Sequence, residues 1–337
     1  MPVKIVGTHS KPKRIMTGLY SFDRAFINKD GDIGMPVGIG YEMFGLNHTG
    51  KSTFAYSLAA IIGRETPGNI ALADFEGFDD VFLTQVANTQ GFDGKIYIIS
   101  DPDDATQLDD LVKYMTKSSC VGIIDSIGAI APMAESTGEL GEANMGKRAF
   151  LMAQFSRKII KLIRFNPDKT VLMVNHWYPR LGGYGFDTPG GEAKKYLASV
   201  RIKLQRGKDG FPDKSYTLIG TVVKNRWGYQ DNVFQVFMLA GFGLHAGMTA
   251  LWDCLTLKLI RRNKGRLFHE KEDLGLLGHF AKSAKQGQNE VFDLFYRLLE
   301  GHNAEPRSEP EDTVESDTDD NDAEQVDERE EVDSVGD

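Results

Sequence analysis

Five short apolar runs punctuate the first half of the chain, at 41–44, 70–73, 96–99, 121–125 and 171–175. Each has strand length and little of the polar alternation of a half-exposed strand, as expected where both faces are covered. Between them, 52–62, 107–115 and 148–163 carry apolar residues at helical spacing. Strands alternating with helices predict an α/β fold with a mostly parallel sheet. After Gly191 the pattern changes: apolar runs at 200–204, 218–223 and 233–239 follow one another with only loops between. That succession predicts an antiparallel extension of the same sheet.

A small α+β unit is expected from 243 to 302. Stretches 246–257 and 291–299 read as helices, with Arg261-Arg262-Asn263-Lys264-Gly265-Arg266 as a basic turn between them. The other divisions are a short N-terminal segment, 1–14, a core, 15–242, and a tail, 303–337. Charge sets the tail apart. It holds 16 Asp or Glu against Arg307 and Arg329, a local net of −14, whereas the whole chain carries −9. The body is therefore mildly basic, at +5, and the tail has the composition of a solvated, disordered segment.

Of the 337 residues, 41% are hydrophobic and 26% charged, enough apolar material for a large core. No apolar run approaches the roughly 18 to 20 residues needed to span a bilayer, so no membrane partner is expected. Met1-Pro2-Val3-Lys4 has no apolar stretch behind it, so no secretory signal is expected. Cys120 and Cys254 read as reduced core residues of an intracellular, cytoplasmic protein.

Gly45-Leu46-Asn47-His48-Thr49-Gly50-Lys51-Ser52 fits the phosphate-loop pattern in full, after one expected strand and at the opening of a helix. Such glycines let backbone N–H groups curl around phosphate oxygens, and the helix N-terminus adds favourable electrostatics. Lys51 would reach the β- and γ-phosphates of ATP, and the Ser52 hydroxyl would ligate Mg²⁺. Asp125 ends the apolar run at 121–125, where an α/β sheet places ligand-facing groups, and would hold Mg²⁺ through water. Glu76 follows the run at 70–73 and is the expected general base for an attacking water.

Together these pieces resemble the RecA family of DNA strand-exchange ATPases. The likeness extends through Met16–Asp23, Asp74–Glu76, and the stretch from Asp125 through Pro132, Ala134-Glu135 and Gly138–Gly141 to Asn144-Met145-Gly146. It continues in Gly190–Arg201, Val222–Arg226 and Gly241–Leu244, so it spans about 15 to 300 in order. The resemblance implies a RecA-type P-loop ATPase core, with Thr53 and Asp80 joining the phosphate loop at the nucleotide. It implies two DNA-binding loops, at 138–146 and 177–191. There Met145 would wedge between base steps, while Gly146, Arg148, Arg157, Arg180, Gly190 and Gly191 would contact DNA. Trp177, Tyr178, Tyr184 and Phe186 are residue types suited to stacking on unpaired bases. Lys224 and Arg226 match a pair that reaches the γ-phosphate of a neighbouring subunit, as an arginine finger does. Arg261, Arg262, Lys264 and Arg266 would capture duplex DNA.

Three features depart from the family pattern. The segment before Met16 is too short for the family's N-terminal helix, leaving residues 3–6 as a candidate strand for docking on a neighbour. His176 stands where a γ-phosphate-sensing glutamine is expected, and Glu192 where an asparagine is expected. These differences suggest a divergent or phage-type member, similar in role to phage UvsX proteins, in a bacterial cell or phage-infected host.

The implied function is a DNA-dependent ATPase that forms helical filaments on single-stranded DNA, pairs it with homologous duplex and exchanges strands. Single-strand-binding and mediator proteins are natural partners. Two rivals share part of the pattern. A RecA-fold ring helicase would share the nucleotide site but not both DNA loops, and a DNA-coating or regulatory protein would have hydrolysis uncoupled at His176 and Glu192.

Overall fold

The structure is a computed structural model that describes residues 11–77, 79–131, 146–179, 186–211 and 213–304. The candidate docking strand at 3–6, Met145, Arg180, Tyr184 and the tail from 305 onward lie outside the described residues.

β1 (Arg14–Ile15), α1 (Tyr20–Ala25) and β2 (Met35–Pro36) lead into β3 (Gly40–Gly45). Helices and strands then alternate: α2 (Lys51–Glu65), β4 (Asn69–Asp74), α3 (Asp80–Thr89), β5 (Ile96–Ile99), α4 (Asp104–Lys117) and β6 (Ser119–Asp125). α5 (Lys147–Phe165) and β7 (Thr170–His176) follow, then a short hairpin, β8 (Tyr178–Pro179) and β9 (Phe186–Asp187), and α6 (Gly191–Leu197). β10 (Ala198–Gly210), β11 (Tyr216–Asn225), β12 (Val233–Leu239) and β13 (Gly243–Leu244) complete the main sheet.

The nine strands run in the order β13-β12-β11-β10-β3-β7-β6-β4-β5. From β10 to β5 every neighbouring pair is parallel. β11, β12 and β13 extend the sheet in antiparallel fashion. The fold is α/β with a mostly parallel sheet and an antiparallel extension, as the apolar pattern predicts. Successive strand residues face opposite sides of a sheet, and here both sides are dry. Ile70, Leu72, Val121, Ile123, Leu172 and Val174 enter one core beneath α2. Ala71, Ala73, Ile124, Val171 and Met173 enter the other, beneath α4 and α5. That is why these strands read as unbroken apolar runs.

The C-terminal unit comprises α7 (Ala246–Thr256), β14 (Arg261–Asn263), β15 (Arg266–His269), β16 (Glu272–Leu276), α8 (Leu277–Lys285) and α9 (Asp293–Ala304). Its core takes in Phe237 and Leu239 of β12, so it is continuous with the main sheet. The basic segment 261–266, expected as a turn, is instead the first hairpin of a three-stranded antiparallel sheet. Its first strand is wholly exposed and mostly charged, so it lacks the apolar alternation that marks a strand. Among the described residues, no helix is long and apolar enough to cross a membrane.

Candidate functional site

β3 ends at Gly45 and α2 begins at Lys51, so the phosphate-loop residues form the turn between a buried strand and a buried helix. Two glycines are required by space. A Cβ on Gly45 would lie 2.3 Å from the Leu204 carbonyl oxygen, and one on Gly50 would lie 2.1 Å from Tyr216 Oη. Gly50 is also left-handed, with φ of 94°, where it caps α2. Lys51 is buried and donates to the Leu46 carbonyl at 2.9 Å. Burial lowers its pKa, against the opposing charges of Glu76 and Asp125.

A cavity of about 400 Å³ is lined by Asn47, His48, Gly50, Lys51, Ser52, Glu76, Val174 and His176. Glu76, just beyond β4, accepts a hydrogen bond from the Ser126 hydroxyl. His176, the last residue of β7, lies between Glu76 and the loop. Its Nε2 is 2.8 Å from Glu76 Oε1, and its Nδ1 is 2.9 Å from Asn47 Oδ1. An imidazole donates from both nitrogens only as the cation, so protonation favours both contacts together. Burial raises the pKa of Glu76. The hydrogen bonds from Ser126 and His176 and the charges of His176 and Lys51 outweigh it, and the carboxyl falls below its ordinary range. Glu76 is thus a carboxylate at neutral pH, the form that can accept a proton.

Asp125 ends β6 and is buried. Its Oδ2 accepts from Tyr56 Oη at 2.5 Å, while its Oδ1 is buried without a hydrogen-bond partner. Burial raises its pKa, with the hydroxyls of Tyr56 and Ser52 acting against that rise. An unpartnered buried carboxylate oxygen beside a hydroxyl fits an Mg²⁺ ion carrying water, the donor set that this hard cation prefers. Ser52 and Asp125 are the residues that would hold it. When bound, the ion would neutralise phosphate charge.

Other expected site residues lie elsewhere. Asp80 does not line the phosphate-loop cavity; it lines a separate one of about 730 Å³, with Thr84 of α3, Phe242, His245 and Lys285. Thr53 is half-buried on α2. Lys224 turns inward within its own chain, donating to the carbonyls of Lys195 at 2.5 Å and Ala198 at 2.7 Å. Arg226 is exposed one turn away from the end of β11. Trp177 is half-buried rather than open: it packs edge-on against Phe44 at 6.5 Å, and Lys203 Nζ sits 4.3 Å from its ring centre. Tyr178 is exposed and stacks on His176.

Gly146 caps α5 in the left-handed region, and Gly190 does the same for α6. A Cβ on Gly190 would meet Ile127 at 2.7 Å, and one on Gly191 would meet Ala149 at 3.0 Å. These contacts pack the end of the second loop against α5. Arg148 is half-buried in the first turn of α5, and Arg157 is exposed on the same helix. In the hairpin, Arg261 and Arg262 are exposed, Lys264 is in the turn, and Arg266 pairs with Asp273 at 2.7 Å. Reading the sequence alone misses Ser126 and Tyr56. Ser126 directly follows Asp125, and Tyr56 stands one helical turn after Ser52, which is the signal either carries.

A family model described as the RecA N-terminal domain matches residues 6–234, more than half of the chain. The chain is similar to the protein RecA of Nitratiruptor sp., 34% identical over 221 residues, covering 63% of this chain and 62% of that protein. The protein RecA of Aquifex pyrophilus is 32% identical over 246 residues, covering 70% and 68% respectively. That of Chloroherpeton thalassium is 28% identical over 290 residues, covering 84% and 79%. The first of these matches spans a little less than two thirds of its relative's length. On this match, and on a sheet and phosphate loop of the kind it requires, the chain belongs to the RecA family.

Proposed function

We propose that the protein is an ATP-dependent recombinase: it polymerises on single-stranded DNA, pairs it with homologous duplex, exchanges strands and releases DNA after hydrolysis. RecA-family proteins use ATP and Mg²⁺, bind DNA and form filaments. In this chain, the loop from Gly45 to Ser52 binds the phosphates of ATP, with Lys51 supplying positive charge. Ser52 and Asp125 hold Mg²⁺. Glu76 takes a proton from the attacking water.

The observation that carries the reading is the position of His176. One ring nitrogen faces Glu76 and the other faces Asn47 of the phosphate loop. His176 also opens the second candidate DNA loop, so a group that displaces it from Glu76 acts on hydrolysis and on that loop together. The loops at 138–146 and 177–191 hold single-stranded DNA, with Arg148, Arg157 and Gly190-Gly191 on its backbone. Lys224 and Arg226 act on a neighbour's nucleotide, the 243–302 unit captures duplex through its basic hairpin, and the acidic tail competes for that hairpin. Single-strand-binding and mediator proteins assist in a bacterial or phage-infected cytoplasm.

The test is ATPase with and without single-stranded DNA, imaging the same samples. Helical filaments with stimulated hydrolysis are expected. Closed rings would assign a helicase, and filaments without stimulation a coating protein.

A further inference from the structure

We propose that Tyr56 is a positioning residue that holds Asp125 so that one carboxylate oxygen stays fixed and the other is presented to Mg²⁺. The inference deepens the nucleotide-site reading and rests on it.

The helix repeat makes the arrangement possible. Ser52 and Tyr56 are four residues apart on α2, hence on one face, one turn above the other. α2 packs across β6, and that face meets the carboxyl end of the strand, where Asp125 emerges. Tyr56 Oη donates to Asp125 Oδ2 at 2.5 Å. Oδ1 of the same carboxylate is buried with no hydrogen-bond partner. The two oxygens are therefore unequal: one is occupied by the protein, and the other is kept for something else. A carboxylate free to rotate would present either oxygen and lose orientational order on binding an ion. A hydrogen bond to one oxygen removes that freedom beforehand.

The phenol suits the task. Burial, then the charges of Asp125, Asp74 and Glu76, push its ionisation far above the ordinary range. It therefore stays a donor at every pH at which the protein is folded. The main neighbouring carboxylates reinforce this state rather than compete with it.

Tyr56→Phe removes one oxygen and little volume. The measurement is binding of a fluorescent ATP analogue by the full chain, first in EDTA and then across a Mg²⁺ titration, repeated with Mn²⁺ detected directly by its spin resonance. Metal-free affinity for the analogue should match that of the parent. The midpoint for either ion should rise by about 10-fold, the scale typical of losing a group that orients a metal ligand. Coincident midpoints for the two proteins would overturn the role of Tyr56. So would an equal loss of metal-free binding, because the hydroxyl would then support the whole loop. If the parent itself binds the analogue no better with Mg²⁺, the nucleotide-site reading fails instead.

Discussion

Glu42 and Lys194 lie wholly inside the protein, both with side-chain exposure of 0%, and their charged atoms are 3.0 Å apart. Glu42 is on β3, the strand that leads into the phosphate loop, and Lys194 is on α6, just after the second candidate DNA loop. The same carboxylate accepts from Arg201 Nε at 2.6 Å and from Asn175 Nδ2 at 2.8 Å. Lys194 also donates to Thr188 Oγ1 at 2.6 Å, and Asn175 donates to the Pro189 carbonyl at 3.0 Å. Both ends of the segment between Asn175 and Pro189 are thus fastened to one buried carboxylate.

The charge count within this cluster is unequal, and that decides which substitution costs more. Lys194→Met leaves Glu42 with Arg201 and Asn175. Glu42→Gln leaves two cations with no anion, one of them fully buried. Breaking a buried pair costs about 3–5 kcal/mol when an uncompensated charge remains. Glu42→Gln should therefore lower the melting temperature by several degrees more than Lys194→Met. Thermal melts of the two variants decide it, and the reverse order would show that Arg201 does not neutralise Glu42.

A second buried carboxyl makes stability depend on pH. Asp253 of α7 accepts from the Ser21 backbone N–H at 3.2 Å, and burial pushes its pKa up to about 7 against these hydrogen bonds. Below about pH 4 it is protonated in folded and unfolded chains alike, so its contribution is then fully present. As pH rises toward 7 the unfolded chain ionises first, and stability is lost until the folded form ionises too. Asp253→Asn keeps an acceptor for Ser21 and removes the titration. The variant should match the parent near pH 4 and exceed it at pH 8 by on the order of 3 kcal/mol. Parallel stability profiles from pH 4 to 8 would assign that pH dependence to other groups.

Much of this architecture is legible in the sequence, for a specific reason. β4, β6 and β7 are buried on both faces, so their apolar runs carry no competing pattern. The phosphate loop is legible because its spacing is a local property of one turn. What escapes is whatever depends on residues far apart in the chain. Tyr56 and Asp125 are 69 residues apart, and Glu42 sits as a lone charge in an apolar strand until Lys194 meets it. The hairpin at 261–269 escapes because its first strand is exposed and charged. The inward turn of Lys224 has no local signature either: it depends on β11 lying beside the end of α6.

Trp177 has a competing partner. Its ring is held between Phe44 and Lys203, and a base can stack on it only if it leaves that contact. An ammonium over an aromatic ring contributes about 0.5–1 kcal/mol at a partly exposed site. Lys203→Ala should free the ring and tighten single-stranded DNA binding by about 2- to 5-fold. A change in Trp177 emission on adding DNA with a slowly hydrolysed ATP analogue should vanish in Trp177→Phe. Weaker DNA binding by Lys203→Ala would mean that the lysine contacts DNA itself.

Lys224 and Arg226 separate two roles that their sequence pattern joins. Lys224 is engaged within its own chain, closing the C-terminal carbonyls of α6, whereas Arg226 is exposed. Lys224→Ala should therefore lower thermal stability as well as ATPase, because it leaves the Lys195 and Ala198 carbonyls without their donor. Arg226→Ala should lower ATPase alone. If Arg226 acts across a subunit junction, mixing Arg226→Ala with Lys51→Ala protein rebuilds some complete sites. A junction works when the Arg226→Ala chain supplies the phosphate loop and the Lys51→Ala chain supplies the arginine. Random assembly of an equal mixture forms that junction about one time in four, so about a quarter of parental ATPase should return. Each variant alone should be nearly inactive. Absence of any recovery, in mixtures shown to co-assemble, would place the arginine and the phosphate loop in the same chain.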